Sequence, residues 1–426
     1  MLVIRVAGKT LAVCALAGSM ACATDLEPTG IEYTAYTASL AAAKPSGDVQ
    51  FGTSVDDAVY GIVVGKLGVA LVGTTAGAFA GQSNAGGRDA FVRVLDKNGA
   101  IVWTREFGTT ADDGAFGVAM DRSGIYIGGT TSGALDGTAN LGASDGYVRM
   151  VDANGSLVWK TRLASAGADS VFGLAVDRDA VYVTGELRGP LEGSTVGNAD
   201  GYVVKLDART GEILWMTRFA GTSGADDGAR AVVVDGDAVF VAATYDGGTS
   251  GGGPGAQDAY IAKLDAITGA FTWLSTVATT QKDVGMDVTL AGGTVFLVGT
   301  SGDHSFAAAF TALTGAMQWK TTLSTNGTDV ATTADANQSR LHVGGWTTGA
   351  FPGMSNTGTS DVFHATLDVT TGAVRGVDQL GTAGQDAAFG SFLDGKVWHL
   401  VGTTGGNLAG TSSGGMDAWW VQLGDR

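Results

Sequence analysis

The chain has 426 residues, 45% hydrophobic and 16% charged, with a formal net charge of −17. That composition excludes a disordered chain, and the negative charge works against anionic partners such as nucleic acid and acidic lipid surfaces. Glycine is the outlier, 69 residues against 5 prolines. Without a collagen period, it implies many tight turns between short strands.

In chain order, the first feature is a leader over residues 1–23. Arg5 and Lys9 give a positive start, residues 11–20 are apolar, and small residues follow. This is the layout of a secretory signal, too short to span a bilayer. Two processing routes fit it. Ser19-Met20-Ala21 before Cys22 is similar to a bacterial lipobox, although Ser19 stands where an aliphatic residue is usual; lipidation at Cys22 would anchor the protein by one terminus. Ordinary cleavage after Ala21 or Ala23 is the other route. No later apolar run approaches spanning length, so any membrane contact is expected through that anchor alone. The protein is then exported: at the cell surface, on the outer membrane, or released into the periplasm or medium. Both cysteines, Cys14 and Cys22, lie in the leader, so the mature domain holds neither a disulfide nor a thiolate. Residues 24–46 read as a tether; within them "IEYTAYTASL" (31–40) either belongs to the tether or extends the strand that follows.

From residue 47 to 426 the chain repeats itself. "FGTSVDDAVYGIVV" starts at Phe51 and "FGTTADDGAFGVAM" at Phe107, with looser copies from Leu163, Phe219, Val277, Leu323 and Leu380; the spacings are 56, 56, 56, 58, 46 and 57 residues. A period near fifty marks a repeat architecture. Each unit divides into four strand-like pieces. In the second unit these are residues 114–120, 125–130, 146–152 and 156–162, rich in Val, Ile, Tyr and Trp. "DKNG" and "DANG" between the third and fourth pieces are hairpin sequences, since Asn-Gly accepts positive φ at little cost. Four antiparallel strands repeated seven times predict an all-β, seven-bladed β-propeller of four-stranded blades. A β-solenoid is the weaker alternative, because its rungs are shorter and lack such hairpins.

The last unit stops at "DAWWVQLGDR" (417–426), its third strand, while residues 46–53 carry the ending of a fourth strand. The N-terminal strand is therefore expected to complete the last blade and close the ring. The fifth unit is short because its second-to-third loop is cropped to "GTSGDHSF" (299–306).

With the "FGT…D" opening, the "VYVTG" strand (181–185) and the "SDGYV…D…G…W" close, the units resemble SBBP β-propeller repeats, a bacterial exported repeat family. The resemblance implies the propeller fold and very little about activity. "LDARTGEILW" (206–215) also looks like the repeat of pyrroloquinoline-quinone-type propellers, without a matching cofactor-site constellation.

One Asp precedes the first strand of every unit: Asp57, Asp113, Asp169, Asp227, Asp283, Asp329 and Asp386. A second precedes the third strand: Asp89, Asp145, Asp200, Asp258, Asp361 and Asp417, with His304 at that place in the fifth unit. In an up-and-down blade both positions lie on one face of the disc, with the long loops. The seven first-strand residues could collect Ca²⁺ through oxygen ligands. The competing reading, favoured because scaffolding residues repeat and catalytic ones do not, has each Asp accepting backbone N–H bonds in its own turn. No cofactor, or Ca²⁺ alone, is expected. Trp103, Trp159, Trp215, Trp273 and Trp319 recur in the fourth strand and read as packing between blades rather than as a sugar platform. The apolar residue in "GAFAG" (77–81), "GALDG" (133–137), "GPLEG" (189–193), "GAFPG" (349–353) and "GNLAG" (406–410) reads as an inward loop anchor. His304, Asp303, Asp246 and Asp258, where copies diverge or loops differ, are the candidates for the binding face. No nucleophile elbow, phosphate loop or zinc signature is present.

The reading is a monomeric, non-catalytic scaffold at the cell envelope that binds a protein or glycan through its loop-rich face, with or without Ca²⁺. The alternatives are a propeller hydrolase or lyase with its site at the channel mouth, and an envelope assembly factor docking through the disc edge.

Overall fold

The computed structural model describes residues 5–6, 9–10, 49–189, 199–219, 226–245 and 257–424. The N-terminal unit, Met1–Ile31, is described only at Arg5–Val6 and Lys9–Thr10, two short strands paired antiparallel. The rest of the leader, Cys22 and the tether lie outside the described residues.

The propeller is seven four-stranded antiparallel sheets. Blade one is Asp57–Gly65, Gly68–Thr75, Asp89–Leu95 and Ile101–Phe107, each strand pairing with the next. Blades two to six repeat that order. Blade seven is Asp386–Asp394, Val397–Thr404 and Asp417–Gly424, completed by Val49–Phe51 from the other end of the chain. The register Val49↔Trp420, Gln50↔Trp419, Phe51↔Ala418 makes this the expected clasp. The cropped fifth loop is a two-residue turn, Gly302–Asp303, between Thr294–Ser301 and His304–Thr311. Gly302 takes φ +58° there, as a tight hairpin demands.

Burial follows from stacking the blades face to face. The second and third strands are covered on both sides, so Gly68–Thr75 and Asp89–Leu95 are buried nearly throughout. The fourth strands form the rim, and Ile101–Phe107 begins exposed. From that rim the Trp residues reach the following blade. Trp103, Trp159, Trp215, Trp273 and Trp319 donate Nε1–H to the Ala153, Ala208, Ala266, Ala312 and Val369 carbonyls at 2.9, 3.0, 3.3, 3.3 and 3.0 Å. Each ring also lies against the positive-φ glycine of that hairpin, for instance Trp159 on Gly211. The Trp residues are thus wedges between blades, with the N–H satisfied as burial requires.

The innermost strands carry a feature the sequence did not announce. Each has a register shift that leaves one residue unpaired: Tyr60, Phe116, Phe172, Arg230, Met286, Thr332 and Phe389. Such a β-bulge re-aims its side chain. Here the aromatic ones meet across blades: Tyr60 lies 5.3 Å from Phe116 and 5.1 Å from Phe389, and Phe116 6.4 Å from Phe172. The Arg230 guanidinium sits 4.5 Å over Phe172. Blades one, two, three and seven thus contribute one ring each to an aromatic collar inside the propeller.

Candidate functional site on the loop-rich face

The loops that lead into first and third strands share one face, and the repeated acids anchor them. Asp57 Oδ2 accepts from the Thr53 N–H at 2.5 Å and Thr53 Oγ1 at 3.0 Å. Asp113 repeats this with Thr109, Asp169 with Ser165, Asp283 with Thr279, Asp329 with Thr325 and Asp386 with Thr382. The "FGT…D" phrase is therefore a turn in which the Thr or Ser four residues earlier caps its own Asp. Asp227 is buried at the same place in blade four. The third-strand acids take loop amides: Ala85 N–H to Asp89 at 2.6 Å, Thr357 N–H to Asp361 at 3.1 Å and Ser413 N–H to Asp417 at 2.7 Å.

The two Asp sets meet at the blade junctions. Asp417 of blade seven and Asp57 of blade one flank Gly52, and Asp89 and Asp113 flank Gly108; a Cβ at either glycine would collide with carboxylate oxygen. Burial raises the carboxyls of Asp57, Asp89 and Asp361, and the paired acids Asp417, Asp113 and Asp386 add to the rise. In blade five His304 replaces the acid, and its Nδ1 lies 3.2 Å from Asp329 Oδ2.

Of the other face candidates, Asp303 is exposed at the tip of the cropped turn, and its carbonyl accepts the Asp329 N–H at 2.8 Å. Asp258 is buried with the repeated acids rather than displayed. Asp246 lies outside the described residues. The loop anchors Phe79, Leu135 and Phe351 are buried, as expected; Leu191 of "GPLEG" is outside the described residues.

A second polar assembly lies in the inner strands of blades five to seven. Asp287 accepts from the Ala334 and Val288 N–H groups, both at 2.8 Å. Thr333 Oγ1 and Ser391 Oγ are 2.7 Å apart. Ser391 Oγ donates to Asp335 Oδ2 at 2.5 Å, and Trp398 Nε1 donates to the same oxygen at 3.0 Å. Trp398 stacks on His364 and His342, ring centres 4.5 and 5.5 Å away. His342 Nδ1 lies 3.2 Å from His364 Nε2. His399 Nδ1 accepts from Trp420 Nε1 at 3.1 Å. The fold thus brings His342 and His364, on adjacent strands of blade six, against Trp398 of blade seven. Sequence reasoning passed over Asp287, although the repeats hold its signal: it stands where other copies have Gly61, Gly117, Gly173 and Gly390. Among the described residues no three Asp, Glu, His or Cys side chains form a ready metal site.

Burial pushes Asp287 up to about 7 and Asp335 up to about 6 against hydrogen bonds that oppose it. The native state therefore holds protons that the unfolded chain releases just above the ordinary Asp value of 3.8. Stability from this pair is full at acid pH and is lost as pH rises through about 6 to 7. His399, pushed down by burial, runs the other way: its share is lost as pH falls. Asp287→Asn is expected to remove most of the decline in Tm between pH about 5.5 and about 8. A variant with the wild-type slope would contradict the assignment.

A closed ring of four-stranded blades, with its repeated acids bonded into its turns, defines a repeat-built β-propeller. The chain belongs to the family described as outer membrane protein assembly factor BamB, which matches residues 144–408, more than half its length. Similar solved structures include BamB from Moraxella catarrhalis, 15% identical over 89% of this chain and 99% of that one, TM-score 0.46. The Pan2 WD40 domain of Neurospora crassa is 9% identical over 85% and 89%, TM-score 0.50. The quinohemoprotein alcohol dehydrogenase of Comamonas testosteroni is 11% identical over 89% and 76%, TM-score 0.48. No curated protein sequence matches the chain.

Proposed function

We propose that this protein is an exported, non-catalytic scaffold of the bacterial envelope that serves outer-membrane protein assembly by holding a protein partner on its loop-rich face. The family match carries the reading, and the chemistry of the face supports it. The acids that a hydrolase or lyase would use are buried and bonded to turn amides. A glycan site would favour flat exposed rings. Here the loop anchors are buried, and the collar rings are tilted or edge-on to one another. A protein partner with basic residues suits the exposed Asp112 and Asp303 and the half-exposed Asp56. Leu141, 59% exposed in the loop before the third strand of blade two, supplies an apolar contact. Lipidation at Cys22 would hold the protein at the membrane by its N-terminus; free secretion would not. The SBBP-type repeat is the narrower description we propose for the units.

The test is genetic. Cells lacking the protein should hold less folded outer-membrane β-barrel protein, and the wild-type gene should restore it. The double variant Leu141→Asp/Asp303→Lys should fold normally and fail to restore it. Unchanged barrel content in the deletion strain would rule the assembly role out. Full complementation by the double variant would move the partner off this face.

A further inference from the structure

The bulge in each innermost strand comes three residues after the repeated Asp that opens the unit. That places it about 10 Å in from the loop-rich face. Solvent reaches the bulge residue: Tyr60, Phe116, Phe172, Arg230 and Phe389 are each partly exposed. The residues just before them, among them Val59, Ala115, Val171 and Ala229, are 0% exposed. In six blades the bulge residue is uncharged; blade four alone places a charge there, Arg230.

Arg230 has no anion. Among the described residues its guanidinium makes no hydrogen bond and no ion pair, and its Nε is buried without a partner. What it touches is the ring of Phe172, 4.5 Å away. Arg93, Arg149 and Arg218, also drawn into the propeller, each have an oxygen. Arg93 Nε donates to Thr104 at 3.0 Å, Arg149 pairs with Asp136 at 3.4 Å, and Arg218 donates to Asp200. Glu186 is the acid whose charge reaches Arg230, but it is paired with Arg188 at 3.4 Å. Burial therefore lowers the Arg230 guanidinium from its ordinary value, with Glu186 opposing only in part. A cation drawn out of water without a partner is costly. With its face on a ring, the guanidinium keeps its edge open, the fork that takes a carboxylate through two parallel bonds.

We propose that the loop-side mouth of the channel is a site for an apolar carboxylate: Arg230 receives the carboxylate, and the rings of Phe172, Phe116 and Tyr60 take the apolar group that carries it. The rings lead away from the guanidinium in an unbroken line. Arg230 lies 4.5 Å from Phe172, Phe172 6.4 Å from Phe116, Phe116 5.3 Å from Tyr60, and Tyr60 5.1 Å from Phe389. The carboxylate supplies the missing charge and acceptors, and its apolar body covers rings that water now reaches. Inorganic phosphate, strongly hydrated and without an apolar part, would meet the cation alone. The same chemistry has two sources, a free aliphatic acid and the carboxyl end of a peptide. The site stands on Arg230 and the collar and does not depend on the assembly role.

Calorimetric titration of the purified protein with octanoate should show a single site with a Kd of about 0.1–1 mM, as a ligand of that size allows. Octanamide, alike in shape but uncharged, should bind at least about ten-fold more weakly. Arg230→Met should fold, match or exceed the wild-type Tm without octanoate, and weaken octanoate binding about ten-fold or more. Arg230→Lys, which keeps the charge and loses the fork, should retain part of the binding. Acetyl-Leu-Leu with a free carboxyl end separates the sources: tighter binding than octanoate assigns the site to a peptide end, weaker binding to a free acid, and either supports it. No saturable binding of octanoate or acetyl-Leu-Leu up to about 10 mM overturns the proposal. Equal binding of octanoate and octanamide by the wild type overturns it too, as does a Met variant that binds octanoate as wild type does.

Discussion

Removal of the chain up to Phe51 is expected to abolish cooperative folding of the propeller. The three residues Val49–Phe51 are the outer strand of blade seven, and their contacts are concentrated on Gln50 and Phe51. Gln50 Oε1 accepts the N–H groups of Leu408, Ala409 and Gly410 at 3.0, 3.1 and 3.1 Å. Its Nε2 donates to the Gly406 carbonyl at 2.7 Å and to Asp417. Phe51 packs on Phe79 and Phe91, ring centres 5.9 and 6.1 Å away, and beneath Arg93. Without the clasp, the buried Trp419 and Trp420 strand becomes an open edge. A truncated protein starting at Gly52 should show no sharp thermal transition and should aggregate. Gln50→Ala alone should cost about 1–3 kcal/mol, because it takes a donor from the buried Asp417 carboxylate and the acceptor from the partly buried Leu408 and Ala409 N–H groups. Urea unfolding measures both, and a truncation that melts like wild type would refute the closure argument.

Asp329→Ala is expected to be the most damaging single substitution among the repeated acids. Asp329 is fully buried and accepts from the Thr325 N–H at 2.8 Å, Thr325 Oγ1 at 2.7 Å and Thr347 Oγ1 at 2.7 Å; His304 Nδ1 lies 3.2 Å away. Truncation leaves the buried Thr347 hydroxyl and the partly buried Thr325 N–H and hydroxyl without their acceptor, a loss of about 3–5 kcal/mol. Asp303→Ala, one turn away but exposed, should stay within about 0.5 kcal/mol. Equal effects from the two substitutions would show that the repeated acids are not structural, and would return attention to ligand binding.

Much of the architecture was legible before the structure. Seven copies at a nearly constant spacing, hairpin glycines and the fourth-strand Trp located the blades to within a residue or so: the pieces expected at 125–130 and 146–152 are Ile125–Thr131 and Asp145–Val151. The fourth strand missing at the C-terminus and left over at the N-terminus located the clasp. Phe79 and Phe351 were legible as anchors because an apolar residue between two glycines has only the interior to bury in. The site was legible in part. The repeated Asp residues stood out by position, and their local partners, the Thr or Ser four residues before, are written in the same phrase.

What only the tertiary structure decided lies between blades. No local pattern says that Asp417 stands beside Asp57, that bulged residues from four blades meet as Tyr60, Phe116, Phe172 and Phe389, or that Trp398 joins Asp335 to His342 and His364. These neighbours are set by the curvature of the ring and by which strand faces which; Tyr60, Phe116 and Phe172 recur at the 56-residue spacing of the units, but that spacing does not say that their side chains meet. Glu106 shows the division most clearly. The sequence by itself determined that blade one has an acid where other blades have Gln50, Arg162, Arg218 and Gln379. Only the folded corner showed what that difference does: Glu106 Oε1 accepts the Phe79 N–H, while Oε2 is buried without a hydrogen-bond partner.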